Sequence, residues 1–433
     1  MSTSILDEKE ILKSFTENAS FLEKRYRENI EKYRKGKFFI KFSGNGVKKV
    51  TIRQKTHSFL FGCNAFMLDS MESKEKEALY KTKFSRLFNQ AVVPLYWNDL
   101  EPREGNLRFG KDSEKIYRRP ATDVVLDFCK EYGIEPKGHC LLWNNCNPDW
   151  LEKYTIEERK QKVEKRFKEI SKAYAGEIPS FDVVNESASN YNLGRKALFE
   201  RYDEFALMLG EKYFSKNRKI INEWNYATWE TYVSCGKYMP FNMQLQKFIE
   251  KGLPIDEIGL QFHIFTKLED LAKQSDIYLN VKNHLEVLDI FSEYGLPMHI
   301  SEITIPSYPN GLPENEEIQA QLVGNYYKLW FATPQMKSIV WWNAVDGYAA
   351  YAPRNTWEGE NYYGGGLLRY DMSEKPSYRV LDELINREWK TNLESEVFGN
   401  EYSFKGFYGE YEIIADGKKY NVKLDKDGKE ALL

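Results

Sequence analysis

Eight short apolar runs, separated by longer amphipathic stretches, most constrain what this chain can become. They are FLFGCN (59–64), AVVPLYW (91–97), EPKGHCLLW (135–143), SFDVVNE (180–186), RKIINEW (218–224), EIGLQFH (257–263), PMHISEI (297–303) and SIVWWN (338–343). Segments such as ATDVVLDFCKEYG and NEEIQAQLVGNYYKLWFATP carry helical spacing between them, and several helices stop at a glycine just before the next run. Eight such units over 58–388 predict an α/β protein built as a (β/α)8 barrel. A doubly wound open sheet calls for a glycine-rich turn after its first strand, and FGCNAFMLD lacks one.

The two chain ends have a different texture. Residues 1–57 contain a charged helical pattern from Asp7 to about Lys35, then FFIKFSGNGVKKVTIRQ, whose alternation around Gly-Asn-Gly predicts a β-hairpin. In 389–433, FKGFYGEYEIIADGKKYNVKLDKDG alternates again and predicts two or three antiparallel strands. The second extension is short for an independent core, so both ends are expected to share one small β-rich appendage.

Composition narrows the function classes. Lys and Arg total 62 against 65 Asp and Glu, a balance that argues against a nucleic-acid partner. RKQKVEKRFKEISK interleaves Glu at helical spacing and reads as a solvated helix face. No run of 18 apolar residues is present, so no membrane span is expected. MSTSILDEKEILKSF shows neither a basic nor an apolar leader region, which makes a cytoplasmic location the expectation. The five cysteines form no CxxC pair and are expected to be buried thiols. With 10 Trp, 29 Tyr and 26 Phe, the chain has aromatic rings to spare for lining a cleft, where they can stack on sugars.

In a barrel of this kind chemistry sits where strands end. Those ends carry Asn64, Trp97, His139, Asn144, Asn185, Glu186, Asn222, Glu223, Gln261, His263, Glu302 and Trp342. Neither HxH nor HxxxH spacing occurs, so neither a zinc site nor any cofactor is expected, and P-loop and GxSxG signatures are absent. Carboxylates remain. Glu186 ends the fourth run and Glu302 the seventh, positions that face each other across a barrel mouth. Glycosidic-bond cleavage needs such a pair, one protonated and one ionised. The bland alternative for either is a solvated or salt-bridged surface charge.

The flanking residues weigh against that alternative. KGHCLLWNNCNPDW (137–150), DVVNE (182–186), NEWN (222–225), the Gln261–His263 pair, SEITI (301–305) and GLLRYDMSEKPSY (366–378) occur in one order. In these motifs the chain resembles glycoside hydrolase family 10, the retaining β-xylanase family. The resemblance implies that Glu186 is the general acid/base and Glu302 the nucleophile. It further implies a polysaccharide or oligosaccharide substrate contacted by Trp97, His139, Trp143, Asn144, Asn185, Asn222, Gln261, His263, Trp342 and Tyr348. Departures concern specificity. The family's Glu-Asn-x-Met-Lys-Trp on the second strand is here VVPLYW, with Tyr96 in place of the Lys and only Trp97 kept. The third-strand His becomes Asn144. Thr304 stands where the family has an Asp two residues past the nucleophile. In the eighth-strand loop, WNAVDGYAAY keeps Trp342 and Asp346 and supplies tyrosines for the later aromatic. A β-glycoside hydrolase with an altered non-reducing-side subsite is the expectation. A non-catalytic sugar binder, using Trp143, Trp342, Tyr348, Tyr351 and Trp357, is the alternative, and transglycosylation would use the same covalent intermediate. The residues leave the glycan, endo or exo action and the oligomeric state open.

Overall fold

In the computed structural model, which describes residues 7–43, 46–189, 198–308, 313–426 and 428–433, two strands precede the repeating units: β1 (Lys35–Lys41) and β2 (Val47–His57). The eight apolar runs then supply β3 (Leu60–Asn64), β4 (Gln90–Pro94), β5 (Glu135–Trp143), β6 (Ser180–Asn185), β7 (Arg218–Glu223), β8 (Glu257–His263), β9 (Met298–Thr304) and β10 (Met336–Trp341). These strands are parallel, and β10 pairs with β3 to close the barrel. Glu186 follows β6 and Glu302 lies in β9, three steps apart around an eight-membered ring.

Local chemistry sets the connections. Thr155 and Glu158 form a reciprocal capping box at the start of the helix Ile156–Tyr174, an arrangement that satisfies two otherwise orphaned N–H groups. Gly133 takes a left-handed φ of 65° and ends the helix Thr122–Tyr132 directly before β5. Gly138 lets β5 pass close to β6, because a Cβ there would lie 2.4 Å from the Phe181 ring. Near the strand starts the interior is ionic: Glu257 accepts from His299 Nε2 at 2.6 Å, pairs with Lys337 and lies 3.2 Å from Arg218 Nε.

The appendage differs from a hairpin. Five strands follow the barrel: β11 (Asn392–Phe398), β12 (Glu401–Phe407), β13 (Gly409–Ala415), β14 (Lys418–Leu424) and β15 (Glu430–Leu432). β1 joins β12 and β15 in one sheet, while β2 joins β11, β13 and β14 in another. Phe38 and Ile40 from β1 share a core with Val50 and Ile52 from β2 and with Phe404, Tyr411 and Ile413. The expected alternation is present, but the chain crosses between sheets instead of folding back within one. A lone two-stranded ribbon buries too little to be stable, and facing sheets bury both apolar faces at once. Gly44 and Asn45, at the expected turn, lie outside the described residues. Arg34 ties this unit to the barrel floor by donating to Phe331 O at 2.7 Å, and Trp389 stacks on Phe331 with centroids 4.1 Å apart.

Cys63, Cys129 and Cys140 are buried as expected, whereas Cys235 is exposed. Among the described residues, no helix is long and apolar enough to cross a membrane, and no group of three or more His, Cys, Asp or Glu side chains could hold a metal ion.

Candidate active site

β6 closes on Asn185, and Glu186 follows with φ at 53°, a left-handed backbone that residues bearing a Cβ seldom adopt. The Glu186 N–H donates to Asn222 O at 2.9 Å, which ties this turn to β7. Its carboxylate is half-buried, and Oε1 accepts from Gln261 Nε2 at 3.0 Å. Gln261 sits on β8 opposite Glu302 on β9 in the ladder register.

A network of side-chain amides connects the two acids. Asn222 Nδ2 donates to Glu302 Oε1 at 2.9 Å and to Asn185 Oδ1 at 2.8 Å, and Gln261 Nε2 reaches the same Asn185 oxygen at 3.5 Å. Ser301 Oγ donates to Asn222 Oδ1 and so orients that amide. Gly259 makes room for it, because a Cβ there would lie 2.4 Å from Asn222 Oδ1. Asn185 is 1% exposed, and its Nδ2 has no hydrogen-bond partner among the described residues. A buried donor without a partner is costly; here it lies beside two carboxylates, where a hydroxyl-bearing ligand could satisfy it.

Two histidines flank Glu302. His263 Nε2 is 3.3 Å from Oε2, and its Nδ1 is 2.9 Å from Thr304 Oγ1. Burial pushes His263 down to about 4, so the imidazole is neutral at pH 7. The geometry then orders the protons: Thr304 donates to Nδ1, and Nε2–H donates to Glu302. His139 Nε2 is 3.8 Å from Oε1. Its Nδ1 lies 2.7 Å from Asp182 Oδ2, which Lys137 Nζ approaches at 3.0 Å. Burial alone would raise the proton affinity of Asp182, but Lys137 and His139 outweigh it and hold the carboxyl below its ordinary value.

Burial, followed by the Glu302 charge, pushes Glu186 up to about 8, with the Gln261 donor working against both. Burial also pushes Glu302 up to about 7, restrained by His139, Lys137 and Asn222. Glu186 therefore holds its proton to higher pH than Glu302. Among the described residues, no lysine or arginine forms an ion pair with either acid, and the basic side chains nearest Glu302 are the two imidazoles.

Of the residues singled out in the sequence, Glu186, Glu302, His139, Asn185, Asn222, Gln261 and His263 come together. Trp342 joins them, its ring centroid 5.4 Å from His139 and 6.1 Å from His263. Trp143 stands 5.5 Å from Tyr96, whose ring is 5.3 Å from His139. Three others are occupied elsewhere. β4 ends at Pro94, and the chain turns into the short helix Trp97–Leu100. Trp97 consequently joins the outer core, donating to Glu101 Oε2 at 2.8 Å beneath the Arg166 guanidinium, and Tyr96 takes the inward position. Asn144 Oδ1 accepts the Leu198 N–H at 2.7 Å and braces a loop. Tyr348 stacks on Tyr370 at 4.9 Å and donates to Glu72.

Glu223, at the end of β7, is fully buried and accepts from Ala188 N at 2.6 Å and Ser189 Oγ at 3.0 Å, pinning the turn after Glu186. Burial pushes it up to about 8. Its place at a strand end was a signal in the sequence, whereas the supporting roles of Asp182, Lys137, Ser301 and Tyr96 had none beyond their neighbours.

These features define a (β/α)8 barrel whose mouth gathers one buried and one half-buried acid, held by amides and imidazoles from β5 to β9. The chain belongs to glycosyl hydrolase family 10, whose family model matches residues 51–383. Among curated relatives, endo-1,4-beta-xylanase 2 of Arabidopsis thaliana is 24% identical over 419 residues, covering 91% of this chain and 34% of the relative. Endo-1,4-beta-xylanase B of Neocallimastix patriciarum is 24% identical over 279 residues, covering 62% of this chain and 29% of the relative. The chain thus spans about a third of the length of these two relatives. Among solved structures, xylanase 10B from Thermotoga petrophila RKU-1 in complex with xylobiose superposes with a TM-score of 0.57 at 21% identity, covering 76% of this chain and 95% of the other, a likeness of fold.

Proposed function

We propose that this chain is a retaining β-glycoside hydrolase of endo-1,4-β-xylanase type, acting on a polysaccharide or oligosaccharide through an altered non-reducing-side subsite. One observation carries the reading: Glu186 and Glu302 share a single amide network, free of lysine and arginine, in which Glu186 retains its proton longer. Such environments keep one acid protonated and the other available as a carboxylate.

In the first step Glu186 passes its proton to the glycosidic oxygen as a Glu302 carboxylate oxygen attacks the anomeric carbon. The C–O bond to the leaving sugar breaks and a glycosyl ester forms on Glu302. In the second step the Glu186 carboxylate takes a proton from water, the water oxygen attacks the same carbon, and Glu302 leaves as carboxylate. Asn222 and His263 hold Glu302 in place in both steps, and the unpartnered Asn185 Nδ2 is available to a ring hydroxyl. Replacement of polar second-strand residues by Tyr96 favours a glycan other than plain xylan, since an apolar wall cannot grip hydroxyls. Residues 58–388 carry this reaction in our reading, with 1–57 and 389–433 as the appendage.

The test is mass spectrometry of protein treated with a slow 2-fluoro aryl β-glycoside, together with turnover of aryl β-xylobioside. A sugar ester on Glu302, and loss on the order of 10^4-fold in kcat for Glu302→Gln, are expected. No adduct and no release from any β-glycoside would replace this reading with that of a sugar-binding barrel.

A further inference from the structure

The segment between β4 and the helix Thr122–Tyr132 ends in two adjacent arginines, Arg118 and Arg119, set beside the aromatic rings that lie next to the two acids. Arg119 stacks its guanidinium 4.3 Å over the Tyr96 ring and 5.3 Å from the Phe66 ring. Tyr96 in turn lies against His139 and Trp143, the groups that flank the two acids. Arg119 Nε donates to Asp99 Oδ2 at 2.7 Å and Nη1 to Arg118 O at 2.9 Å, while Nη2 makes no hydrogen bond among the described residues.

Arg118 is 5% exposed and takes a left-handed φ of 61°. Its Nη1 donates to Asn343 Oδ1 at 3.0 Å and to Tyr348 O, and its Nε is buried with no partner. Among the described residues no carboxylate lies within ion-pair distance of Arg118, although the Glu360 carboxylate acts on it from farther away, and Asp99 is the sole direct ion-pair partner of the two guanidinium groups. A buried guanidinium with an unpartnered N–H is costly unless an acceptor completes it. The Arg118 contacts to Asn343 and Tyr348 also bind this segment to the chain after β10, next to the buried cluster of Phe66, Tyr96 and Trp342.

We propose that Arg119, backed by Arg118, forms a carboxylate-recognising subsite, so that the cleft takes a β-glycan bearing a uronic acid on this side of the scissile bond. The free Nη2 offers the contact, and the second guanidinium adds a cation that no carboxylate touches directly among the described residues. A planar guanidinium suits a carboxylate better than a neutral hydroxyl. The proposal deepens the hydrolase reading and rests on it for the position of the sugar.

The test uses matched ligands that differ in a carboxylate: xylotriose against glucuronosyl-xylotriose, bound calorimetrically to full-length Glu302→Gln protein, and 4-nitrophenyl β-glucoside against β-glucuronide, turned over by the unaltered chain. In at least one pair the acidic member is expected to be favoured about tenfold in Kd or kcat/KM, and Arg119→Gln to erase that preference. Arg119→Lys, which keeps the charge but loses the fork, should lower it partially and decides the matter if the Gln variant fails to fold. Equal or weaker interaction of the acidic member in both pairs, or a preference unchanged by both substitutions in folded protein, overturns the subsite. Acid-selective binding without cleavage of any glycoside would uphold the subsite and count against the hydrolase reading alone.

Discussion

Glu257, at the start of β8, and Glu302, near the end of β9, lie in one barrel and are nearly excluded from solvent, at 2% and 5% exposure. Two cationic side chains, Lys337 and Arg218, and the His299 imidazole surround Glu257. Burial would raise its proton affinity, but these neighbours outweigh it and drive the carboxyl far below its ordinary range. Glu302 is equally buried and meets two imidazoles and an amide, so burial prevails and the carboxyl rises to about 7. The floor of the barrel locks its glutamate as an anion, and the mouth keeps its glutamate able to change state. Residue type is identical; the company each keeps decides between a structural and a chemical role.

Removing each carboxylate should therefore move stability in opposite directions. Glu257→Gln leaves His299, Lys337 and Arg218 without their shared anion, and a loss of about 3 kcal/mol in urea denaturation at pH 7 is expected. Because the folded-state pKa of Glu257 is depressed, its contribution is present above the unfolded value and fades as pH falls through the acid range. The gap between native protein and variant should hold from pH 9 to about 5, then narrow. A gap that widens towards acid would contradict the ionic-floor account.

Glu302→Gln should do the reverse, with a smaller effect. A folded-state pKa raised to about 7 means that the unfolded chain surrenders the proton first, so the native protein loses stability as pH rises from the unfolded value through 7. Above that, the variant is expected to be the more stable by about 2 kcal/mol, and near pH 4 the two should coincide. Equal denaturation midpoints at pH 9 would show that Glu302 carries no burial penalty.

The same two values bound catalysis. Activity needs Glu302 ionised, which is lost as pH falls below about 7, and Glu186 protonated, which is lost as pH rises above about 8. The kcat/KM profile on an aryl β-xylobioside should be a narrow bell centred between them. With a dinitrophenyl leaving group that needs no acid, Glu186→Gln should abolish the alkaline limb and keep the acid one. Survival of the alkaline limb would remove Glu186 from the acid role.

How much of this was legible beforehand depended on whether a property is local or shared. The eight barrel strands follow from apolar runs of the right length, and both acids stand at or near the ends of such runs. Strand pairing is a different matter: alternation in β1 and β2 told which face is buried, not that each would find its partners 350 or more residues away in β12 and β13. Side-chain direction past a strand end was equally hidden. One turn at Pro94 sends Trp97 outward and Tyr96 inward, and no periodicity encodes that exchange. The ionic floor was unreadable because its members come from β7, β8, β9 and β10 and become neighbours only when the barrel closes.

The smallest effect probes the boundary between the two regimes. Thr304 gives His263 a neutral hydroxyl at 2.9 Å, and burial keeps the imidazole uncharged. Thr304→Asp would place an anion there, and an adjacent carboxylate favours imidazolium. A charged His263, 3.3 Å from Glu302 Oε2, would stabilise the Glu302 anion and shift the acid limb of the pH profile downward by about one unit. The substitution thus imports into the mouth a little of what holds Glu257 ionised at the floor. The alkaline limb, set by Glu186, should move less, since a more persistent Glu302 charge only reinforces a proton already retained. An acid limb left where it was would mean that His263 orients Glu302 without tuning it, and that the contrast between mouth and floor rests on lysine and arginine alone.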